Sequence, residues 1–173
     1  MKPVVLSVAH LPDFLTERLR EAFDFRDRIH ELDPVAFETI APRIRGIVAS
    51  GEARVSRELL ARLPAAEIIA VFGVGYDGID LDATRDRRVT VTNTPDVLTD
   101  DVADLAMGLI LAVSRELLPA DAHLRSGRWV DGAYRLTRKV SGARIGIFGL
   151  GRIGRAIARR AEGFGMRIAY TDR

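Results

Sequence analysis

Arg144-Ile145-Gly146-Ile147-Phe148-Gly149-Leu150-Gly151-Arg152-Ile153-Gly154 is the stretch that decides the fold. Arg144 to Gly149 is a short apolar run of strand type. Arg155 to Phe164 has helical spacing, with Ile153, Ile157, Ala158 and Ala161 facing inward, and Gly165 ends it. Met166 to Thr171 reads as the next strand, and Asp172 sits at its tip, 18 residues after Gly154. In such a strand–turn–helix–strand unit each glycine has its own task. Gly149 lets the chain turn out of the strand, Gly151 lets a diphosphate approach the backbone, and Gly154 lets the helix pack on the strand. The free N–H groups of Arg152 and Ile153 point at the anion, where the helix dipole favours negative charge. Asp172 can accept hydrogen bonds from both hydroxyls of an adenosine ribose. The alternative is a glycine turn in an α/β sheet that binds nothing.

These residues assign a dinucleotide site to Gly149, Leu150, Gly151, Arg152, Ile153, Gly154, Asp172 and Arg173. Asp172 favours NAD, because a carboxylate repels a 2′-phosphate, while its neighbour Arg173 favours NADP.

Working outward from the glycines, the chain upstream alternates short apolar runs with helical stretches. Val4–Ala9, Ile44–Ser50, Ile68–Phe72 and Val89–Thr92 read as strands. They are continuously apolar, as strands buried on both faces of a parallel sheet must be. Ser56–Leu63 reads as a helix, with Ser56 as cap and Pro64 as stop. Asp100–Ser114 reads as a long helix capped by Thr99 or Asp100. Its apolar face comprises Val102, Leu105, Ala106, Leu109, Ile110 and Val113. Ser126–Trp129 reads as a loop. The expected class is α/β, with a Rossmann- or flavodoxin-like parallel-sheet domain over residues 1–97. The first βαβ unit of a dinucleotide-binding Rossmann domain follows over 98–173.

Composition narrows the function. The 173 residues suffice for one domain or two small ones. Lys plus Arg is 26 against 24 for Asp plus Glu, and the net charge of +2 calls for no nucleic acid partner. Lys2 and Lys139 are the only lysines, which leaves 24 scattered arginines (26 − 2). Cysteine is absent, which excludes disulfides, thiolate metal sites and cysteine nucleophiles. The longest apolar run, Leu105–Val113, is too short to span a membrane. No secretory leader is visible, and the expected location is the cytoplasm. His10, His30 and His123 show neither metal-ligand spacing nor an acidic partner in an acid/base arrangement.

The sequence resembles the D-isomer-specific 2-hydroxyacid dehydrogenases, especially the hydroxyphenylpyruvate, hydroxypyruvate and glyoxylate reductase branch. The residues that carry the resemblance are Phe72-Gly73-Val74-Gly75-Tyr76-Asp77 with Ile79-Asp80-Leu81, then Val91-Thr92-Asn93-Thr94-Pro95-Asp96-Val97-Leu98-Thr99-Asp100-Asp101-Val102-Ala103-Asp104. Arg125-Ser126-Gly127-Arg128-Trp129 and the glycine turn complete the set. The resemblance implies two α/β domains with a cleft between them, a substrate or lid domain first and a nicotinamide-binding domain second. It also implies hydride transfer between NAD(P)H and a small 2-oxo acid.

Residue by residue, the resemblance places Val74 and Gly75 in the loop whose amides hold the substrate carboxylate, a glycine-flanked anion nest. It places Leu98 in the wall of the substrate pocket and Val102 against the nicotinamide. The Asp100–Ser114 helix matches the family's dimer-forming arm, so a homodimer is expected. The family's catalytic Arg, Glu and His fall beyond residue 173. The expectation is therefore a fragment of a dehydrogenase about twice as long, inactive by itself and without catalytic residues of its own. A non-catalytic dinucleotide-binding or dimerising remnant is the alternative.

Overall fold

The computed structural model describes residues 1–172. The chain falls into two compact units that divide between Pro95 and Asp96. The first runs β1 (Val4–Ser7), α1 (Asp13–Ala22), β2 (Asp24–Asp27), α2 (Ile29–Leu32), α3 (Pro34–Ile40), β3 (Ile44–Ser50), α4 (Arg57–Ala61), β4 (Ile68–Phe72), α5 (Leu81–Asp86) and β5 (Thr90–Thr92). The second runs α6 (Thr99–Ser114), α7 (Leu117–Arg125), β6 (Arg144–Phe148), α8 (Arg152–Gly163) and β7 (Arg167–Thr171).

In the first unit all strands pair in parallel in the order β2-β1-β3-β4-β5. That is the flavodoxin-like order, and the parallel pairing is what the apolar runs imply. Short caps start its helices. The Asp33 carboxylate accepts from the Ala36 N–H at 3.0 Å to open α3, with Pro34 in the first turn. Ser56 accepts from the Leu59 N–H at 3.3 Å to open α4, as its sequence position predicts. Asp80 accepts from the Ala83 N–H at 2.7 Å to open α5.

The strand order decides how the sheet is covered. Right-handed crossovers send α1 to one face and the helices that follow to the other. The larger core joins Leu6, Ile47, Ile69 and Val71 of the sheet to Phe37, Leu60 and Ala83 of α3, α4 and α5. The smaller core joins Val5 and Val48 to Leu19 of α1. On that second face Ile68 and Phe72 of β4 remain exposed, and Phe14 of α1 meets Phe72 edge-on at 6.1 Å. An apolar trough of about 330 Å³ opens there between Leu19, Phe23, Val48, Ile68 and Ala70.

The strand β2 carries no apolar alternation, and the sequence does not announce it. Asp24-Phe25-Arg26-Asp27 forms an edge strand, and its residues are half-buried. Its polarity suits an edge. The Ser7 hydroxyl donates to Asp27 at 2.6 Å and accepts from the Arg28 N–H at 3.1 Å, which fixes the end of β2 to the end of β1.

In the second unit β6 and β7 pair in parallel, from Arg144 with Arg167 to Phe148 with Thr171. The helix α8 links them and packs against α6. Three local expectations are corrected here. Leu98, without any side-chain cap, precedes α6, and Thr99 is already helical; Asp100 and Asp101 in the first turn supply the favourable charge instead. The buried stripe of α6 is Ala103 and Met107, whereas Leu105, Leu109 and Val113 are exposed. In α8 the buried positions are Gly154, Ala156 and Ala161, while Ile153 points outward, because the helix pivots on the close approach at Gly154. Arg160 ties the two helices together. Its Nε lies 2.5 Å from Asp104 Oδ1, and its Nη2 lies 3.1 Å from Asp100 Oδ1.

Candidate functional site

Two backbone arrangements could hold an anion, one in each unit. In a parallel sheet the ligand-facing loops leave the carboxyl ends of the strands. At the ends of β3 and β4 the chain packs backbone against backbone. Gly73 adopts φ +152, and a Cβ on it would lie 3.3 Å from the Gly51 nitrogen. A Cβ on Gly51 would lie 3.4 Å from the Gly75 carbonyl oxygen. Further on, a Cβ on Gly78 would overlap the Ala53 carbonyl oxygen. The two loops are stitched there by Val55 N–H to Gly78 O at 2.9 Å and Asp80 N–H to Val55 O at 3.0 Å.

Hydrogen bonds then fix the polarity of the β4–α5 loop. The Thr94 N–H donates to Gly73 O at 2.9 Å, the Asn93 side chain donates to Val74 O at 2.9 Å, and the Ile79 N–H donates to Tyr76 O at 3.0 Å. Among the described residues, the Val74 and Gly75 N–H groups meet no acceptor. The loop therefore has engaged carbonyls and available amides, which is the electrostatic character of an anion nest. Val74 is partly exposed, and a hollow of about 320 Å³ lined by Tyr76, Leu81, Val91 and Asn93 opens in the same unit.

In the second unit the three glycines have three distinct geometries. Gly149 turns the chain with φ +89, in the left-handed region that favours glycine. A Cβ on Gly151 would meet nothing within 4 Å, so the space over it is open. A Cβ on Gly154 would collide with the Gly149 carbonyl oxygen. The Gly149 N–H donates to Thr171 O at 2.8 Å, and Arg155 Nε donates to Leu150 O at 2.8 Å, which holds the turn from both sides. Arg152 opens α8, and its Nε lies 2.7 Å from Asp96 Oδ1. A helix start with an open approach over Gly151 and free first-turn amides suits a diphosphate. Asp172 follows directly on β7, paired with β6 in the sheet, and Arg173 lies outside the described residues. Leu98 and Val102 are both exposed, at the start of α6, joined by the Val102 N–H to Leu98 O bond at 3.0 Å.

The surroundings of His30 and His123 are defined by a few contacts. His30 does have an acidic neighbour: its Nε2 lies 3.6 Å from Glu31 Oε1, beside the Phe37 ring. Its Nδ1 is buried without a partner, and burial pushes the imidazole below its ordinary value, with Arg62 and Arg28 acting in the same direction against Glu31. Burial pushes the Asp27 carboxyl up, but Ser7, Arg28 and His10 outweigh that and hold it below the usual carboxylate value. His123 packs on Tyr134 and lies 3.3 Å from Gly132 O. Among the described residues no cluster of His, Asp and Glu could hold a metal ion, and no helix is long and apolar enough to cross a membrane.

Sequence reasoning missed the supports of these sites: Asn93, Thr94, Gly51, Arg155 and Asp96. Asn93, Thr94 and Asp96 lie in the Val91–Asp104 stretch, but only the fold shows that Asn93 and Thr94 reach back to the preceding loop.

Comparison with known proteins gives the family. Residues 5–173 match the model of the D-isomer specific 2-hydroxyacid dehydrogenase catalytic domain. A glyoxylate/hydroxypyruvate reductase A of Arabidopsis thaliana is 45% identical over 170 residues, which cover 98% of this chain and 54% of that protein. A hydroxyphenylpyruvate reductase of Plectranthus scutellarioides is 52% identical over 133 residues, 77% of this chain and 42% of that protein. The crystal structure of a 2-hydroxyacid dehydrogenase from Ketogulonicigenium vulgare superposes with a TM-score of 0.93 at 45% identity, covering 99% of this chain and 54% of the other. That of an NADPH-dependent glyoxylate/hydroxypyruvate reductase from Sinorhizobium meliloti, in complex with NADP and malonate, gives 0.86 at 43% identity, covering 100% and 55%. The chain thus spans about half the length of these relatives. With its flavodoxin-like sheet, its amide-bearing β4–α5 loop and its glycine turn, it belongs to the D-isomer specific 2-hydroxyacid dehydrogenase family.

Proposed function

We propose that this chain supplies the substrate-carboxylate loop and the coenzyme-diphosphate turn of a dehydrogenase that reduces a small 2-oxo acid to the D-2-hydroxy acid. The substrate class is glyoxylate, hydroxypyruvate or hydroxyphenylpyruvate. The observation that carries this reading is the glycine turn: Gly149 at positive φ, open space over Gly151, and Gly154 pressed on Gly149. These residues fit a dinucleotide. The nicotinamide coenzyme, when bound, supplies the hydride.

The chain's own residues bind and orient. The Arg152 and Ile153 amides at the start of α8 hold the diphosphate. Asp172 accepts from the ribose hydroxyls and biases the site toward NAD, although the Sinorhizobium relative carries NADP. Val74 and Gly75 hold the carboxylate of the 2-oxo acid through their amides. The malonate carried by that same relative is a small carboxylate of comparable kind. Leu98 and Val102 contribute apolar surface for substrate and nicotinamide. His30 lies beside Glu31 and His123 beside Gly132 O, and we assign the proton transfer to none of His10, His30 and His123. The exposed face of α6 seats a second copy in a homodimer.

Calorimetric titration of the purified chain with NADH tests the proposal. Saturable binding that the Gly151→Ala variant loses is the expected result. Absence of binding by the unmodified chain, with the fold intact by circular dichroism, overturns it. In the same preparation glyoxylate, hydroxypyruvate and hydroxyphenylpyruvate are expected to show no reduction, because the reading assigns the proton transfer to none of His10, His30 and His123.

A further inference from the structure

We infer that Asn93 is the positioning residue of the carboxylate site: by holding the Val74 carbonyl, it aims the Gly75 N–H at the substrate anion. The inference rests on the carboxylate reading of the Val74–Gly75 loop given above and assigns that loop its support.

The argument is one of peptide geometry. A peptide group is planar, and in its trans form the carbonyl and the following N–H point to opposite sides. The described residues contain no cis peptide bond. The orientation of the peptide from Val74 to Gly75 is therefore fixed as soon as its oxygen is fixed. The Asn93 side-chain amide does this, donating to Val74 O at 2.9 Å. The peptide before it is fixed in the same way, by the Thr94 N–H on Gly73 O at 2.9 Å. Two adjacent residues just past β5 thus grip two successive carbonyls of the neighbouring loop, and the Val74 and Gly75 N–H groups are turned away from the grip.

The loop needs such a grip. Gly73 and Gly75 flank Val74, and glycine has the widest backbone freedom, so an unsupported Gly-Val-Gly segment would sample many peptide orientations. One of the two donors is a backbone group that no side-chain replacement removes. The other is Asn93, half-buried at the rim of the hollow formed with Tyr76, Leu81 and Val91. A neutral carboxamide suits the position. It can donate without placing a second negative charge beside a carboxylate, which an aspartate would do.

The test compares the chain with Asn93→Leu, which keeps the shape without a donor, and with Asn93→Gln, which keeps the donor. Oxamate is titrated while the Val74 and Gly75 amide resonances are followed by NMR. Residual dipolar couplings report the orientation of the Gly75 N–H independently of binding. The expected result is saturable shifts in the unmodified chain, about tenfold weaker binding in Asn93→Leu with a changed Gly75 coupling, and recovery in Asn93→Gln. Equal oxamate affinity and an unchanged coupling in Asn93→Leu would overturn the inference and leave the carboxylate site standing. No response of Val74 and Gly75 in the unmodified chain would overturn both. If Asn93→Leu fails to fold, Asn93→Ala gives the same reading.

Discussion

Gly154 stands so close to Gly149 that one methyl group on the first would overlap the carbonyl oxygen of the second. Gly151, three residues earlier, has nothing within 4 Å of where its Cβ would stand. The same substitution at these two glycines therefore has opposite physical meanings. Gly154→Ala must push α8 off β6, at a cost of about 1–3 kcal/mol typical of overpacking, with loss of coenzyme binding as a consequence. Gly151→Ala leaves packing untouched and fills only the space a diphosphate would take. Thermal unfolding and NADH titration, run on both variants, check this. Gly154→Ala is expected to lower the unfolding midpoint, and Gly151→Ala to keep the midpoint and lose the coenzyme. A normal NADH affinity in Gly151→Ala would show that the diphosphate does not lie there.

His30 makes stability depend on pH. Burial holds its imidazole below the ordinary 6.5, and its Nδ1 has no partner. The unfolded chain therefore takes up the proton at a higher pH than the folded one. The stabilisation is fully present above 6.5 and is lost as the pH falls toward the depressed folded value. The Asp27 carboxyl, held below the usual 3.8, acts in the same direction only at lower pH. The urea midpoint at about pH 7.5 and about pH 5.5 should fall on acidification in the unmodified chain and change little in His30→Leu. An equal fall in both would show that His30 is not the group responsible.

The sheet and the glycine turn were legible because their signals are local. The strands Ile44–Ser50 and Ile68–Phe72 are continuous apolar runs, and the observed bounds coincide with the expected ones. Ser56 was legible as a cap because capping involves only the next three residues. What stayed hidden depends on partners distant in sequence. The strand β2 is polar, pairs with β1 along its length, and is fixed at its end where Asp27 meets Ser7, 20 residues away. The burial of Ala103 and Met107 in place of Leu105 and Leu109 is set by where α8 lies, and helical periodicity alone cannot choose between two apolar stripes on one helix. In the β4–α5 loop Val74 and Gly75 stand in a motif that the sequence displays, but the Asn93 bond spans 19 residues and joins two separate loops.

The exposed stripe of α6 has a testable consequence. Leu105, Leu109 and Val113 recur at four-residue spacing, so they share one face of the helix, and all three are exposed. An apolar stripe of that length on a helix marks a contact surface. Leu109→Glu places a charge in its centre and touches none of the buried residues that hold α6 to α8. Sedimentation velocity should show the unmodified chain as a dimer and Leu109→Glu as a monomer with unchanged circular dichroism. A monomer in both cases would remove α6 as the dimer contact.

Coenzyme choice is the last consequence. β7 ends at Thr171, and Asp172 follows at the carboxyl end of a strand paired with β6, next to the glycine turn in the sheet. A carboxylate there accepts from ribose hydroxyls and repels a 2′-phosphate, and the repulsion acts at short range. Asp172→Ser keeps an acceptor and removes the charge. It should therefore weaken NADH binding modestly and strengthen NADPH binding, shifting the ratio of their dissociation constants by about tenfold or more toward NADPH. The double variant Asp172→Ser, Arg173→Ala, which also removes the basic neighbour in sequence, should give back most of the NADPH gain. Titration of the three proteins with both coenzymes separates these contributions. An unchanged ratio in Asp172→Ser would mean that the ribose is read by some other residue.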